Sequence, residues 1–180
     1  MNTKLMFSKA SDEWSTPPDI FDALDAEFQF AVDCAATAEN AKCARWLGPG
    51  GISPDALTVT WGQYGTVCWL NPPYSRVRAF ISKAAAEAAW CGCTVVVLVP
   101  ARTDTQWWHQ HVWDRARHTW RPGVELRFLK GRLIGGMPSG APFPSVVVIF
   151  HGNAMNDHKQ ALSNIRMSDA SCEGTEEDRA

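Results

Sequence analysis

Three features of exported and membrane proteins are missing from this sequence of 180 residues. No apolar stretch approaches the roughly 18–20 residues that a membrane helix needs. The first residues, MNTKLMFSKASDEW, lack the apolar core of a secretory signal. The six cysteines are scattered and include no C-x-x-C pair, so neither a disulfide framework nor a zinc site is expected. The sequence therefore predicts a cytoplasmic protein whose cysteines are reduced and structural.

A strong net charge is also absent, but the charges are unevenly distributed along the chain. The formal net charge is −2. Residues 11–60 carry nine acidic and two basic side chains, whereas residues 76–132 carry ten basic and four acidic ones. An acidic half suits a cationic or hydroxyl-rich ligand and a basic half suits phosphate, although ordinary solvated helix faces would give the same counts.

Alternating strand and helix patterns predict an α/β domain. A helix is predicted over 15–28, with Ser15 or Thr16 as its cap and prolines in its first turn. The other predicted elements are strands at 28–33, 66–71, 94–100, 124–129 and 145–150, and helices at 76–90 and 103–116, the second capped by Thr103 or Asp104. The continuous apolar run at 94–100 is typical of a parallel strand buried on both faces.

Polar residues follow the ends of several predicted strands. Asp33 ends the first strand, Asn71 follows the second, and Arg102 comes just after the strand at 94–100. In sheets of this kind, ligands bind at the carboxyl ends of the strands. This edge of the sheet is therefore the expected position of the functional site.

The stretch CWLNPPYSR, residues 68–76, has an unusual chemistry for the end of a strand. Its two prolines end the strand and stiffen the loop. The amide oxygen of Asn71 and a main-chain carbonyl at Pro72, which has no N–H, can accept both hydrogens of a planar amine. Tyr74 offers a face for stacking, worth about 1–3 kcal/mol per base. Holding both hydrogens favours a pyramidal nitrogen that can attack, so the loop indicates an amine clamp that works by positioning.

The NPPY loop resembles the [DNS]PP[YFW] motif of amino-group methyltransferases that use S-adenosylmethionine, and an initial Asn favours N6 of adenine. Over roughly residues 12–150 the chain resembles the small phage-type DNA N6-adenine methyltransferases, the phage Dam family. Seven segments in the same order carry the resemblance: DEWSTPPDIFDALDAEF, FAVDCAATAENAKC, DALTVTWG, LNPPYS, LVPARTDTQWWH, LKGRL and APFPSVVVIF. The resemblance implies methyl transfer to a flipped-out adenine in double-stranded DNA, in the cytoplasm of a bacterium or of a phage-infected host.

The resemblance also implies a fold and a domain organisation. The expected fold is the Rossmann-like methyltransferase fold, a mostly parallel sheet with helices on both faces. DCAATAEN stands where a Gly-rich turn is usual, and only about 32 residues separate Asp33 from the next strand. Because that length is short for two helix–strand units, the sheet is expected to be reduced around the second and third strands of the usual methyltransferase fold (strands 2–3). We expect a flexible N-terminus at 1–10, one methyltransferase domain at 11–152 with a basic, Trp-rich DNA-contacting segment at about 101–135, and a disordered polar tail at 153–180.

The resemblance assigns roles to individual residues. The catalytic loop is Asn71, Pro72, Pro73 and Tyr74. The residues expected to bind S-adenosylmethionine are Trp14, Thr16, Pro17, Asp33, Cys34, Ala35, Asp55, Leu57 and Asn71. The residues expected to contact DNA are Tyr74, Ser75, Arg76, Arg102, Thr103, Trp107, His109, Lys130 and Arg132. Within the cofactor set, Asp55 would contact the adenine ring, and the acid that binds the ribose stays open, with Glu39 as a candidate.

Several alternatives remain open at the level of sequence. For the tryptophans between 107 and 113, burial in an amphipathic helix is favoured over contact with DNA. No metal is expected, because His109 and His111 point to opposite sides of a helix without further ligands. The H-x-E and P-C-x-x-C signatures of zinc deaminases are missing. Other possible activities are methylation of cytosine N4 or of a protein glutamine amide, or DNA binding without catalysis, and the protein could be a monomer or a dimer.

Overall fold

The computed structural model describes residues 15–133 and 143–152. Trp14, the flexible N-terminus expected at 1–10 and the tail expected at 153–180 lie outside the described residues. Within the described part, no helix is both long enough and apolar enough to span a membrane. The five cysteines in this part are all free thiols.

The described residues form three α-helices and seven strands. The helices are α1 (Pro18–Phe28), α2 (Val77–Ala86) and α3 (Gln106–His111). The strands are β1 (Val32–Asp33), β2 (Val67–Leu70), β3 (Thr94–Pro100), β4 (Trp113–Asp114), β5 (Thr119–Trp120), β6 (Val124–Phe128) and β7 (Ser145–Phe150). Short 3₁₀ turns at Ala56–Thr58, Trp61–Gln63 and Tyr74–Arg76 lie between the longer elements.

Five of these strands form one sheet in the order β1-β2-β3-β7-β6. The pairs β1–β2 and β2–β3 are parallel, whereas β7 is antiparallel to both of its neighbours. Strand β7 therefore runs opposite to the other four strands. The α/β class predicted from the sequence is confirmed, but the mostly parallel pairing is not, because half of the strand pairs are antiparallel.

The sheet is buried on both faces, as the apolar run at 94–100 predicts. Val95, Val97 and Val99 pack in one cluster with α2 and α3. Val96 and Leu98 pack in a second cluster with α1. Because neighbouring side chains of a strand point to opposite faces, this alternation places α1 on one side of the sheet and the other two helices on the opposite side.

The described region after β1, where a reduced or missing strand was expected, contains only isolated β-bridges in its place. Leu47 N–H donates to the Asp33 carbonyl at 2.8 Å, and Ala36 N–H donates to the Leu47 carbonyl at 3.1 Å. A parallel bridge joins Asp33 and Trp46 in the same stretch. Past β1 the sheet is thus extended, within the described residues, only by this short parallel bridge, which agrees with the expected reduction of this region.

Helix α1 begins three residues after its predicted start, and its predicted cap is wrong. The helix begins after Pro17, and no side chain caps it. Pro18 occupies the first position, where its missing N–H leaves one fewer donor to satisfy. The Thr16 hydroxyl instead accepts a hydrogen bond from Asn71. A proline start therefore replaces the expected Ser or Thr cap.

The helix predicted over 103–116 is much shorter in the structure. Helix α3 begins after Thr105 and ends at His111, and β4 and β5 then form a small antiparallel hairpin. Asp114 Oδ1 accepts hydrogen bonds from the N–H groups of Ala116 and Arg117. An Asp side chain that binds the backbone two and three residues ahead favours a turn over a helix. Apolar spacing alone does not reveal this local competition.

Candidate active site

A cleft of about 270 Å³ lies at the carboxyl ends of β1 and β2. The predicted site residues that line it are Thr16, Asp33, Ala35, Asp55, Asn71, Pro72, Pro73 and Arg76. These residues come from four segments that are distant in the sequence. The structure therefore brings five of the nine expected cofactor residues and Asn71–Pro73 of the NPPY loop to one place, at the edge of the sheet where ligands were expected.

Other predicted site residues do not line this cleft. Pro17, Cys34, Leu57, Tyr74 and Ser75 are chain neighbours of lining residues. Arg102, Thr103, His109, Lys130 and Arg132 are exposed. Trp107 lies in the core at 4% exposure, which agrees with the favoured interpretation of the tryptophans as packing residues. Glu39 is exposed and its neighbour Asn40 lines the cleft instead.

Asn71 is oriented by a residue from the start of the chain. Its Nδ2 donates to Thr16 Oγ1 at 3.0 Å, and Thr16 is buried. This hydrogen bond fixes the orientation of the amide, in which Oδ1 is the acceptor atom. The sequence suggested that Thr16 contacts a cofactor but gave no sign of this hydrogen bond.

The prolines of the loop lead directly into a tight turn. The carbonyl of Pro73 accepts the N–H of Arg76 at 3.0 Å, at the start of the 3₁₀ turn Tyr74–Arg76. The Pro73 carbonyl is therefore part of this turn, and α2 follows immediately. Prolines at 72 and 73 limit the backbone freedom of the loop, so Asn71 is held at a fixed position between a strand and a helix.

Tyr74, the last residue of the NPPY loop, packs against Phe143. Their ring centroids are 5.2 Å apart and the rings meet edge to face at 73°. Burial raises the pKa of Tyr74 well above its usual value, and nearby Arg102 opposes that shift. The side chain is therefore a neutral phenol across the physiological pH range, which suits stacking more than acid–base chemistry.

Asp33 holds together the loop that replaces a Gly-rich turn. Its Oδ1 accepts the N–H of Ala35 and its Oδ2 accepts the N–H of Lys42, both at 3.1 Å. Burial raises the pKa of Asp33 to about 6, and the hydrogen bonds from Lys42 and Ala35 oppose the shift. The carboxyl group is thus both a structural acceptor and a titratable group in the wall of the cleft.

Asp55 and Arg76 face each other within the cleft. Asp55 Oδ1 accepts the N–H of Leu57 at 3.0 Å, which caps the 3₁₀ turn Ala56–Thr58. The same oxygen lies 3.9 Å from Arg76 Nη2, and both side chains are about half exposed. The guanidinium also lies over the Phe80 ring at 5.7 Å. Arg76 therefore connects the expected cofactor region to the NPPY loop.

Gly48 is a lining residue that the sequence interpretation missed. Its φ is +143°, and a Cβ at this position would lie 2.0 Å from the Ala36 carbonyl oxygen. A side chain here would therefore displace the backbone that forms the wall of the cleft. The run GPGG at 48–51 was the available signal, but it gave no indication of which glycine lacks room for a side chain.

A metal site is not formed by the part of the chain that the structure describes. No group of three or more His, Cys, Asp or Glu side chains in residues 15–133 and 143–152 is placed to bind an ion. His111 Nε2 instead forms a hydrogen bond of 2.9 Å with Ser82 Oγ.

Comparisons with known proteins agree with the resemblance carried by the motifs. The family model described as DNA N-6-adenine-methyltransferase (Dam) matches residues 3–175. A protein of Haemophilus phage HP1 (strain HP1c1), named DNA N-6-adenine-methyltransferase, is 32% identical over 110 residues, which are 59% of this chain and 61% of that protein. A protein of Escherichia phage T1 with the same name is 32% identical over 110 residues, 61% of this chain and 44% of that protein. The match thus spans less than two thirds of either relative.

Proposed function

The chain belongs to the DNA N-6-adenine-methyltransferase (Dam) family, and on this basis we propose that it transfers a methyl group from S-adenosylmethionine to N6 of adenine in double-stranded DNA. The observation that carries the proposal is the cleft that unites Asn71 and Pro72 with Asp33 and Asp55. An amine clamp and two carboxylates in one cleft suit a reaction between an amino group and a cationic methyl donor.

The chemistry of the cleft fits S-adenosylmethionine. This molecule carries a sulfonium, an ammonium group and ribose hydroxyls, and the Asp33 and Asp55 carboxylates would hold such cationic and hydroxyl groups. Gly48 allows the Ala36 carbonyl to pack against its backbone in the wall of the cleft, because a Cβ there would lie 2.0 Å from that oxygen. When bound, the cofactor supplies an electrophilic methyl group.

The NPPY loop would hold and activate the amino group. In the proposed complex, Asn71 Oδ1 and the main-chain carbonyl at Pro72 accept the two hydrogens of the adenine N6 amine. Both bonds favour a pyramidal nitrogen, whose lone pair is then available for attack. The Thr16 hydroxyl supports this role because it engages the amide nitrogen of Asn71. A strong base is unnecessary, since the proton on N6 becomes acidic once the nitrogen is alkylated.

Tyr74 would contribute the stacking surface for the target base. Adenine N6 is inaccessible in a duplex, so the base must leave the helix at a cost of a few kcal/mol. Stacking on an aromatic ring returns about 1–3 kcal/mol of that cost. The packing of Tyr74 against Phe143 supports this role, because it fixes the orientation of the phenol ring.

The fold and the DNA contacts follow from the same proposal. The five-stranded sheet, with one strand reversed, supports a reduced Rossmann-like methyltransferase domain over residues 11–152. The exposed residues Arg102, Thr103, His109, Lys130 and Arg132 are proposed to contact DNA near the cleft. Trp107 is left out of this set because it is buried in the core.

The direct test of the clamp is Asn71→Ala. We expect turnover with unmethylated duplex DNA to fall by about 10²-fold or more, as for the loss of one preorganised polar group. Affinity for S-adenosylmethionine, measured by calorimetry on the same preparation, should change much less and serves as the control for folding. Turnover that survives the substitution would show that Asn71 does not hold the amine.

A further inference from the structure

The hairpin formed by β4 and β5, residues 113–120, contributes little to the core. All six residues from Arg115 to Trp120 are exposed. Three of them, Arg115, Arg117 and His118, are basic, and Arg121 follows directly. A run of six exposed residues, three of them basic, requires an explanation other than packing. We refer to residues 113–120 as the basic hairpin.

The tip of the basic hairpin is held in one conformation. Asp114 is buried, and its Oδ1 accepts the N–H groups of Ala116 and Arg117. Arg117 Nη1 also donates to Asp114 Oδ2 at 2.7 Å. His118 adopts a left-handed conformation with φ of +51°, which is uncommon for a residue other than glycine. The tip is therefore fixed by side-chain bonds and not by the strands alone.

A stack of tryptophans attaches the basic hairpin to the domain. The rings of Trp113 and Trp120 are 4.8 Å apart, and Trp120 meets Trp108 at 6.4 Å. Trp108 is in turn 5.6 Å from Trp107 in the core. A two-stranded hairpin is marginally stable by itself, so this edge-to-face stack gives it a rigid base.

Positive charge continues from the basic hairpin towards the cleft. Arg121 Nη2 donates to the His109 carbonyl at 3.2 Å. Burial lowers the pKa of His111, and the positive charges of nearby Arg121 and Arg78 lower it further. Arg76, two residues before Arg78, lines the cleft. Within 105–123 the single acid in the sequence is Asp114, and Arg117 neutralises it.

We propose that the basic hairpin binds the phosphate backbone of duplex DNA that flanks the target base, with Arg115 and Arg117 as contacts. Guanidinium groups bind phosphate oxygens through paired hydrogen bonds. The basic side chains of Arg121, Arg78 and Arg76 connect the hairpin with the cleft, so one bound duplex would meet both. This proposal rests on the proposed function only in taking DNA as the partner.

The test is the salt dependence of DNA binding by Arg115→Gln and by the double variant Arg115→Gln/Arg117→Gln. The probe is an unmethylated 30-base-pair duplex of mixed sequence, titrated between roughly 50 and 200 mM salt. Each lost phosphate contact should reduce the slope of log K against log salt by about 0.9. The double variant should also bind about tenfold more weakly at the lowest salt, a loss expected for charge-assisted hydrogen bonds.

Arg45→Gln is the matched control because it removes an exposed guanidinium beside β1, the edge strand opposite to β6, which follows the hairpin. Its slope should equal that of the unmodified protein, and hairpin variants with that same slope would overturn the proposal. Methyl transfer is measured in parallel. If the unmodified protein transfers the methyl group and the hairpin variants keep its salt slope, only the proposed role of the hairpin is rejected. A hairpin-dependent slope without transfer would reject the methyltransferase and leave the DNA contact in place.

Discussion

Asn71 and Thr16 are 55 positions apart in the chain and are joined by one hydrogen bond. At the scale of single residues, the proposed chemistry depends on such positioning more than on any unusually reactive group. Burial raises the pKa of Tyr74, so its side chain stays a neutral phenol. The proposed transfer requires no strong base at the amine. The residues that matter most are therefore those that hold the acceptors and the stacking ring in place.

Thr16→Val tests whether Thr16 positions Asn71. Valine has nearly the same shape but no hydroxyl, so the Asn71 amide loses the acceptor that orients it. We expect turnover to fall about tenfold, in the range for one lost hydrogen bond, while Thr16→Ser keeps most of the activity. Cofactor affinity is measured on both variants. An unchanged turnover with weakened cofactor binding in Thr16→Val would instead assign Thr16 to the cofactor.

Asp33 is expected to make stability depend on pH in an unusual direction. Its folded pKa is about 6, above the reference value of 3.8, because burial disfavours the charged form. Its contribution to the free energy of unfolding is therefore fully present below about pH 4 and is lost as the pH rises through about 6. The free energy of unfolding relative to Asp33→Asn, measured with urea from pH 4 to 7, should fall over this range. A difference that rises with pH would contradict the assignment.

At the scale of elements, the cleft is built from loops that the strands and short turns hold in place. Asp33 fixes the loop between residues 33 and 42 through two backbone N–H groups. Glu87 is buried in a π-helical turn, Glu87–Cys91, that follows α2. Its carboxylate accepts the N–H groups of Trp61 and Gly62 and pairs with Lys83. At these two places, a buried carboxylate holds a loop by accepting hydrogen bonds from its backbone N–H groups.

Gly48→Ala tests the wall of the cleft at this scale. The new Cβ would lie 2.0 Å from the Ala36 carbonyl oxygen, and the backbone has a φ of +143°. We expect a loss of about 1–3 kcal/mol in the free energy of unfolding, together with weaker binding of S-adenosylmethionine.

Gly50→Ala is the matched control for this substitution. Its φ is also positive, at +75°, but no atom lies within 4 Å of the added Cβ. It should therefore cost only the left-handed backbone penalty of about 1–2 kcal/mol and leave cofactor affinity unchanged. Equal effects of the two substitutions on cofactor binding would mean that the contact with Ala36 is unimportant for the cleft.

At the scale of the whole molecule, some features could be read from the sequence and others could not. The strands at 94–100 and 145–150 were predicted with their correct limits because continuous apolar runs mark strands buried on both faces. The end of α3 was missed because the side chain of Asp114 competes with the helix. The bond between Thr16 and Asn71 was not predictable, since it depends on where α1 packs against the sheet.

The NPPY motif illustrates the same division. Its residues predict an amine clamp, because an amide oxygen, a carbonyl and an aromatic ring in a rigid loop suit a planar amine. Its surroundings came only from the fold, which brings Asp33 and Asp55 to the same cleft. The basic hairpin lies in a segment whose charge was visible, but its first residues were predicted as the end of a helix over 103–116.

The most direct test of the account is the identity of the methylated product. Purified protein would be incubated with S-adenosylmethionine carrying a labelled methyl group and with unmethylated duplex DNA, and the digested nucleosides analysed by mass spectrometry. The account predicts labelled N6-methyldeoxyadenosine, which is absent when Asn71→Ala replaces the unmodified protein. Labelled N4-methyldeoxycytidine, or label found only in protein, would contradict the assignment of adenine in DNA as the substrate.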